Sequence, residues 1–550
     1  MPAHSKRFWW ILLGAGLVTI LGWETFLFTT DDAYIAFRYI EQRQLGHGYV
    51  WNGPPFLPVE GYSCFGWIVL LDGLYSLLGI APPEGAHVLS LLASLGSLMI
   101  VARWAQTGLE RRGEEGNGVY LVCVMGLLVT SRLFLTWTSS GLETALFNVV
   151  LLLWLYKGMV GGALRTPHFA VAIACASALS LVRPDGYLFV LASFALGGLH
   201  VFQGRLVLKR ALLQSWPVLG VVAHVLWRKS FYGEWLPNTY YAKVVGPLPD
   251  IGLRYLLSFG IEHGLVFLLA ILVIACWRTR ACWPVHGRES GWLAGGALVG
   301  HTLYYAVVAG GDHFEYRILS HWAPLMALGS VWAVLVTGQT RVLRLGGLAL
   351  LALLTQSIPW IHYGVSQEHT SWSRSMPNYA IESELPELLS PVGKSFDELQ
   401  QWLFRHGVGM RHQQHKVFSE YQLGQLPSRQ VAAELLDGEE NPVVVVTSAG
   451  IAGWQFVGAH VVDVFGLNDY VVARTPPRTR ESARVVAHSR QPPPGYVNAF
   501  RPNMIITPAR VSPFSRREAP LTDAEIMGIE QRFREELPED RNTPQSERTP

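Results

Sequence analysis

Long apolar segments follow one another over the first 361 residues of the 550-residue chain. The first, residues 8–28, is about 20 residues long, which is enough to cross a bilayer as a helix. The others lie at 64–80, 86–104, 118–135, 144–161, 168–182, 186–202, 211–227, 261–277, 291–309, 317–337 and 343–361. Half of the residues are hydrophobic and only 15% are charged, as is typical of membrane proteins. We therefore predict an all-α membrane domain over residues 1–361.

The basic residues between these segments indicate how the chain crosses the membrane. They occur at Arg103 with Arg111 and Arg112, at Arg165, at 205–210, at 278–288, and at Arg341 with Arg344. All fall on the cytoplasmic side if segment 64–80 lies on the outer surface as a helix instead of crossing. This predicts about eleven transmembrane helices, a cytoplasmic N terminus and a first outer loop over residues 29–85. A cleaved signal peptide is the competing interpretation of segment 8–28, but no Ala-x-Ala site precedes Asp31.

After Ile361 no apolar run is long enough to span a bilayer. Residues 442–447 and 460–465 have the pattern of buried strands, and 395–405 and 428–436 have helical patterns. We predict a small soluble α/β domain over residues 362–535 on the outer side. The charged end, residues 536–550, is predicted to be disordered.

Composition also argues against several functions. The net charge of +2 and the absence of a basic run interleaved with aromatic residues argue against nucleic-acid binding. The five cysteines, at 64, 123, 175, 276 and 282, have no paired metal-ligand spacing, which argues against a zinc site or a disulfide framework.

Two adjacent carboxylates, Asp31 and Asp32, follow the first span. Charge at the mouth of a membrane span is costly and is more often kept for chemistry. A carboxylate just beyond a helix end can lie about 3 Å from a bound hydroxyl and act as a general base. The alternative is that the pair only terminates the first helix.

Four cations lie at or just outside the ends of spans on the outer face: Lys243, Arg317, His313 and Arg183. An enzyme working there has no nucleotide supply, so an activated sugar would arrive on a lipid phosphate. We predict that these side chains bind that phosphate. Interfacial anchoring explains any one of them equally well.

Polar and aromatic residues of the outer loops are candidates for binding the sugar or the acceptor. They are Glu60, Tyr62, Glu143, Asp185, Asn238, Tyr240, Tyr241 and Asp312. An aromatic belt at the interface is the alternative for the tyrosines, and ion pairs with the arginines are the alternative for the acids. The sequence assigns no cofactor. A divalent cation held by Asp31, Asp32 and Asp312 is left open, since hard cations take oxygen ligands.

Several short motifs together resemble a known group of membrane enzymes. They are Asp-Asp-Ala-Tyr-Ile-Ala-Phe-Arg-Tyr from 31, Val-Glu-Gly-Tyr-Ser from 59, Ser-Gly-Leu-Glu-Thr from 140, Arg-Pro-Asp-Gly from 183, Leu-Pro-Asn-Thr-Tyr-Tyr-Ala-Lys from 236, Gly-Asp at 311, and Val-Val-Asp-Val-Phe-Gly-Leu-Asn-Asp from 461. The chain resembles the GT-C glycosyltransferases related to the mycobacterial terminal β-(1→2)-arabinofuranosyltransferase. Relatives in that group include flagellar motor control proteins.

The resemblance implies a GT-C fold and an inverting transferase in a bacterial inner membrane, with the C-terminal domain periplasmic. Its donor would be a polyprenyl-phosphate pentose, its acceptor an envelope glycan or protein, and its catalytic base Asp31, with Asp32 as the alternative. Two other functions stay open at this point. One is transfer of another sugar, mannose or aminoarabinose, and the other is a non-enzymatic membrane scaffold for envelope or motility components.

Overall fold

The computed structural model describes residues 3–114, 118–160, 168–279, 288–373 and 379–547. Arg165 and positions 280–287 of the basic run lie outside the described residues, as does Cys282. The α-helices up to residue 367 are Ala3–Thr25, Asp31–Gln44, Phe65–Leu78, Pro82–Glu110, Gly118–Val129, Arg132–Thr136, Thr144–Leu153, Phe169–Val182, Tyr187–Phe202, Leu208–Gln214, Val218–Tyr232, Asn238–Lys243, Pro249–Glu262, Leu265–Arg278, Arg288–Leu303, Trp322–Thr337 and Arg341–Gln367.

Five described helical segments are long and apolar enough to cross a membrane, which confirms the prediction of a membrane protein. They are Lys6–Thr25, Pro82–Glu110, Pro184–Phe202, Glu289–Ala309 and Arg341–Gln367. A sixth span is formed if Pro249–Glu262 and Leu265–Arg278, which bend by 77° at their junction, count as one. The predicted total of about eleven also relied on shorter helices, so that number stays a prediction. Segment 211–227 differs from a single span because Leu208–Gln214 and Val218–Tyr232 divide it.

A buried ionic cluster lies at the bend between Pro249–Glu262 and Leu265–Arg278. Glu262, at the end of Pro249–Glu262, forms an ion pair with Arg411, whose Nη1 lies 2.8 Å from Oε2 and donates to Oε1 at 3.1 Å. Glu315 contacts Nη1 of both Arg411, at 3.2 Å, and Arg132, at 2.7 Å. All four side chains are nearly inaccessible to solvent, so each charge depends on the others for compensation. The cluster therefore fixes the start of the C-terminal helix His412–Gln425 against the membrane helices.

The Asp31-Asp32 pair does not lie in a loop but opens a second helix, Asp31–Gln44. The Thr30 hydroxyl caps this helix by accepting the Ala33 amide at 3.3 Å. Acidic residues in the first turn are favoured because the helix N terminus carries partial positive charge. Every residue from 33 to 42 is buried, so this helix is enclosed by the rest of the protein.

The C-terminal part of the chain, which we call the C-terminal domain, combines a small sheet with helices. Its strands are β1 (Val443–Val446), β2 (His460–Asp463), β3 (Met504–Thr507) and β4 (Arg510–Val511). They form one sheet in the order β2-β1-β3-β4, with β1 parallel to both neighbours and β4 antiparallel to β3. Its α-helices are Ser390–Arg405, His412–Gln425, Arg429–Leu436, Ala449–Gln455, Tyr470–Arg474, Tyr496–Ala499 and Asp523–Glu535.

The predicted strands 442–447 and 460–465 are confirmed as β1 and β2, and both predicted helices are present. Strands β3 and β4 were not predicted. The expected boundary at 361 falls inside the helix Arg341–Gln367. The terminal segment departs locally from the predicted disorder, because the Arg490 guanidinium donates to the Arg541 carbonyl and to the Asn542 side chain.

Helix Asp31–Gln44 forms hydrogen bonds to both ends of helix Ala449–Gln455 in the C-terminal domain. Asp31 accepts the amides at the start of that helix, and the Arg38 guanidinium donates to the carbonyls of Gly453, Phe456 and Ala459 at its end. Asp31 and Arg38 are seven residues apart, so they lie on the same face of their helix, about 10 Å from each other. This distance matches the length of the seven-residue helix Ala449–Gln455. The negative side chain thus meets the positive end of the partner and the positive side chain its negative end.

Candidate functional site

A cavity of about 590 Å³ lies between the helical part and the C-terminal domain. The helical part contributes Asp31, Asp32, Ile35, Lys243, His313 and Phe314 to its lining. The C-terminal domain contributes residues that follow the ends of β1, β2 and β3, together with aromatic and histidine side chains. Its volume is in the range that holds small-molecule ligands, about 300–1,000 Å³. Four of the predicted site residues therefore meet at one cavity.

The two neighbouring aspartates have different environments. Asp31 is buried, and its oxygens accept the backbone amides of Ile451 at 2.8 Å and Gly450 at 3.2 Å. A Cβ on Gly450 would lie 1.7 Å from the Asp31 carbonyl oxygen, so only glycine allows this approach. Asp32 is partly exposed to the cavity, and no hydrogen bond or ion pair engages its carboxylate within the described ranges.

Three basic side chains line the same cavity as Asp32. Lys243 is exposed at the end of the short helix Asn238–Lys243, and none of the described residues pairs with its ammonium. His313 donates its Nδ1–H to the Gly407 carbonyl at 2.9 Å, and its ring centroid lies 5.3 Å from that of His488. Burial lowers the pKa of His313 and lowers that of His488 to about 4. Both imidazole rings are therefore neutral at neutral pH.

The structure does not bring Arg183 and Arg317 to this cavity, contrary to the prediction. Arg183 pairs with Glu143 at 2.9 Å and Asp185 at 3.2 Å, and donates to the Tyr305 hydroxyl. Arg317 makes two bonds to Asp312, at 2.9 and 3.1 Å. Ion pairing, the alternative that the sequence left open for Glu143 and Asp312, is what the structure shows. The positive charges of Arg183 and Arg317 are already compensated, so a lipid phosphate would have to displace a carboxylate from either arginine.

The remaining predicted sugar-binding residues join parts of the protein and do not line the cavity. Glu60 pairs with Arg228 at 2.5 Å, and the Tyr62 hydroxyl contacts that of Tyr232 at 3.1 Å. The Asn238 amide donates to three carbonyls of the turn after β2, those of Gly466, Leu467 and Asp469. Tyr241 donates to Glu234 at 3.1 Å, and Arg541 lies over the Tyr240 ring at 5.9 Å.

The cation site considered from sequence is not assembled in the part of the chain that the structure describes. Asp312 is held by Arg317 and Asp31 by two amides. Within these ranges no group of three His, Cys, Asp or Glu side chains is arranged to hold a metal ion. The described cysteines Cys64, Cys123, Cys175 and Cys276 are free thiols.

Sequence reasoning missed the wall that the C-terminal domain contributes. His415 and His488 line the cavity, and so do Thr447, Asp463 and Thr507 at the ends of the three parallel strands. The motif around Asp463 was noticed, but nothing in its composition indicated that it faces Asp32. The useful signal was topological, since the carboxyl ends of parallel strands meet at one edge and form ligand sites there.

Comparison with known proteins shows similarity to solved structures. No protein-family model and no curated protein matches the sequence. Among solved structures, the chain is similar to the crystal structure of ArnT from Cupriavidus metallidurans bound to undecaprenyl phosphate, with a TM-score of 0.48 and 12% identity over 82% of this chain and 85% of that one. A similarity at this level assigns neither family nor function to the chain.

Asp31 should make the stability of the protein depend on pH. Burial, reinforced by the charge of Asp32, raises its pKa from 3.8 to about 6, although the two amide bonds oppose the shift. The folded state then binds a proton that the unfolded state has released, so the stabilisation is complete below pH 3.8 and is lost as pH rises through 6. We expect the unfolding free energy of the wild type, relative to Asp31→Asn, to fall by at most about 1.4 kcal/mol per pH unit between pH 4 and 6. Thermal unfolding in detergent at several pH values measures this, and parallel profiles for the two proteins would contradict it.

Proposed function

We propose that this protein is a membrane glycosyltransferase that transfers a sugar from a polyprenyl-phosphate donor to an envelope glycan or protein. The sugar we propose is arabinofuranose. The observation that supports this function best is that one cavity is lined by a carboxylate, Asp32, and an ammonium, Lys243, neither of which is paired within the described residues. We place the reaction at the outer face of the inner membrane, with the N terminus cytoplasmic and the C-terminal domain periplasmic. The same proposal includes a GT-C fold, about eleven transmembrane spans and a division between the two domains at residue 361.

The chemistry needs one base and one cation. Asp32 would remove the proton from an acceptor hydroxyl as its oxygen attacks the anomeric carbon of the donor. The bond from that carbon to the phosphate oxygen breaks, and the polyprenyl phosphate departs with the electron pair. Attack opposite the leaving group inverts the configuration. Lys243 would stabilise the negative charge of the departing phosphate.

We assign the base role to Asp32 in place of Asp31. Both oxygens of Asp31 are already bound by amides of helix Ala449–Gln455, so a proton acceptor there would have to break the contact between the two parts of the protein. Asp32 has no such bonds and faces the cavity. Asp31 then acts as a positioning residue that holds the C-terminal wall of the cavity in place.

The proposal is tested with purified full-length protein, radiolabelled decaprenyl-phosphate arabinofuranose and an envelope fraction as acceptor. We expect labelled product and release of decaprenyl phosphate in equal amounts. Mannose and aminoarabinose on the same lipid test the identity of the sugar. Failure to transfer any of the three, from a protein shown to be folded, would overturn the enzymatic function and leave the scaffold as the explanation.

Replacing Lys243 with methionine should weaken use of the donor specifically. The substitution keeps an unbranched side chain but removes the only charge assigned to the phosphate. We expect the donor KM to rise about tenfold, which corresponds to about 1.4 kcal/mol. Lys394→Met, at an exposed position of the helix Ser390–Arg405, is the matched control and should leave the donor KM unchanged. An unchanged donor KM in Lys243→Met would remove the phosphate role.

A further inference from the structure

The three parallel strands of the C-terminal domain end at the cavity. The order of the strands in the sheet reverses at β1. Strand β2, which follows β1 in the chain, lies on one side of β1, and β3 lies on the other side. The crevice between β1 and β3 is therefore the topological switch point, where open α/β sheets bind ligands. Thr447 and Ser448 follow β1, Thr507 ends β3, and all three line the cavity.

Two polar atoms at this wall are buried without a partner. The Thr447 hydroxyl has almost no solvent exposure and no hydrogen-bond partner among the described residues. The same is true of Nε2 of His415, a residue only 8% exposed. The His415 ring is fixed because it stacks on Phe314 with centroids 4.5 Å apart. A buried polar atom without a partner destabilises the protein, and a ligand that bonds to it would recover that loss.

The chemistry of these atoms indicates the class of ligand. A hydroxyl both donates and accepts hydrogen bonds, and so does a neutral imidazole. Burial lowers the pKa of His415 well below its usual value, so its ring is neutral at pH 7. Groups of this kind suit the hydroxyls of a carbohydrate, whereas a carboxylate or phosphate could only accept. Trp372, which stacks on Tyr421 with centroids 4.8 Å apart and lines the same cavity, offers an aromatic surface to a sugar ring.

We propose that the C-terminal domain provides the acceptor subsite, in which the Thr447 hydroxyl and His415 Nε2 bind hydroxyl groups of a neutral glycan. This inference rests on the proposed transferase function. It assigns the two sides of the cavity to the two substrates: the sugar phosphate lies by Lys243 and Asp32, and the acceptor lies against the strand ends. The acceptor hydroxyl is then held opposite the donor, with Asp32 between them.

Binding without the donor tests the subsite independently of transfer. Full-length protein is titrated with two neutral probes, α-(1→5)-linked arabinotetraose and mannotetraose, and with tetragalacturonate as an acidic probe, and binding is followed by saturation-transfer NMR. We expect at least one neutral tetrasaccharide to bind and Thr447→Val to raise its Kd about tenfold. Thr447→Ser keeps the hydroxyl and should restore binding. Thr479→Val, at an exposed position outside the cavity, should leave it unchanged.

Three binding results would overturn the subsite. Binding of neither neutral probe, equal affinity in Thr447→Val, or tighter binding of tetragalacturonate would do so, the last in favour of an acidic acceptor drawn to Arg405 at the cavity wall. His415→Phe keeps the ring stacked on Phe314 and provides a second variant if Thr447→Val unfolds. Saccharide binding by a protein that transfers no sugar would refute the enzymatic function alone. Transfer with an unchanged acceptor KM in Thr447→Val would refute the subsite alone.

Discussion

Asp32→Asn is expected to abolish sugar transfer while the protein stays folded. Asparagine has nearly the same shape but cannot accept the proton of the acceptor hydroxyl, and loss of a general base typically lowers a rate by about 10²–10⁴. Because no hydrogen bond or ion pair within the described residues depends on the Asp32 carboxylate, the unfolding temperature should change little. The measurement is the initial rate of transfer from labelled decaprenyl-phosphate arabinofuranose.

Asp31→Asn is the matched control at the neighbouring position. Its amide can still accept one of the two amide hydrogens but opposes the other, so we expect a loss of stability of about 1–3 kcal/mol and a smaller loss of rate than in Asp32→Asn. Full loss of transfer in Asp31→Asn with wild-type activity in Asp32→Asn would reverse our assignment. Wild-type rates in both variants would remove the carboxylate pair from the mechanism.

Arg38→Met should have the largest effect on stability. The side chain is fully buried, and removing its guanidinium would leave the carbonyls of Trp51, Gly453, Phe456 and Ala459 without this donor. A buried acceptor left unpaired costs about 1–3 kcal/mol, so we expect the free energy of unfolding to fall by more than about 3 kcal/mol. Denaturant titration in detergent measures it. Limited proteolysis should also cleave the C-terminal domain faster.

Arg43→Met on the same helix is the control for that change. Arg43 pairs with a carboxylate, Asp72, at 3.0 Å, and its side chain is 43% exposed. An ion pair this exposed contributes at most about 1 kcal/mol, so its loss should move the unfolding midpoint only slightly. Equal effects of the two substitutions would show that Arg38 does not hold the two parts together.

Sequence patterns predicted what depends on local periodicity. The long apolar helices, β1, β2 and the helices around residues 400 and 432 are all present, because hydrophobic spacing determines them within a few residues. Asp32, Lys243 and His313, which stand out in the sequence as polar residues among apolar ones, line one cavity. Strand β4, only two residues long, left no such pattern.

Partners distant in sequence could not be predicted. Nothing near Asp31 indicates that Gly450 and Ile451 occupy its oxygens, so the two adjacent acids looked equivalent from sequence. Arg183 and Arg317 looked like phosphate ligands because their carboxylate partners were assigned to the substrate instead. Charge compensation is a property of the folded state, and it decides which cations remain available.

The contact of Asp31 and Arg38 with helix Ala449–Gln455 also affects biosynthesis. The segment that carries Asp31 and Arg38 leaves the ribosome more than 400 residues before its partner helix, a delay of about 20–80 s at typical rates of elongation. During that interval the Arg38 guanidinium lacks the carbonyls of Gly453, Phe456 and Ala459 that it binds in the folded protein. This contact between the two parts of the protein can therefore form only after the chain has been translated as far as Ala459.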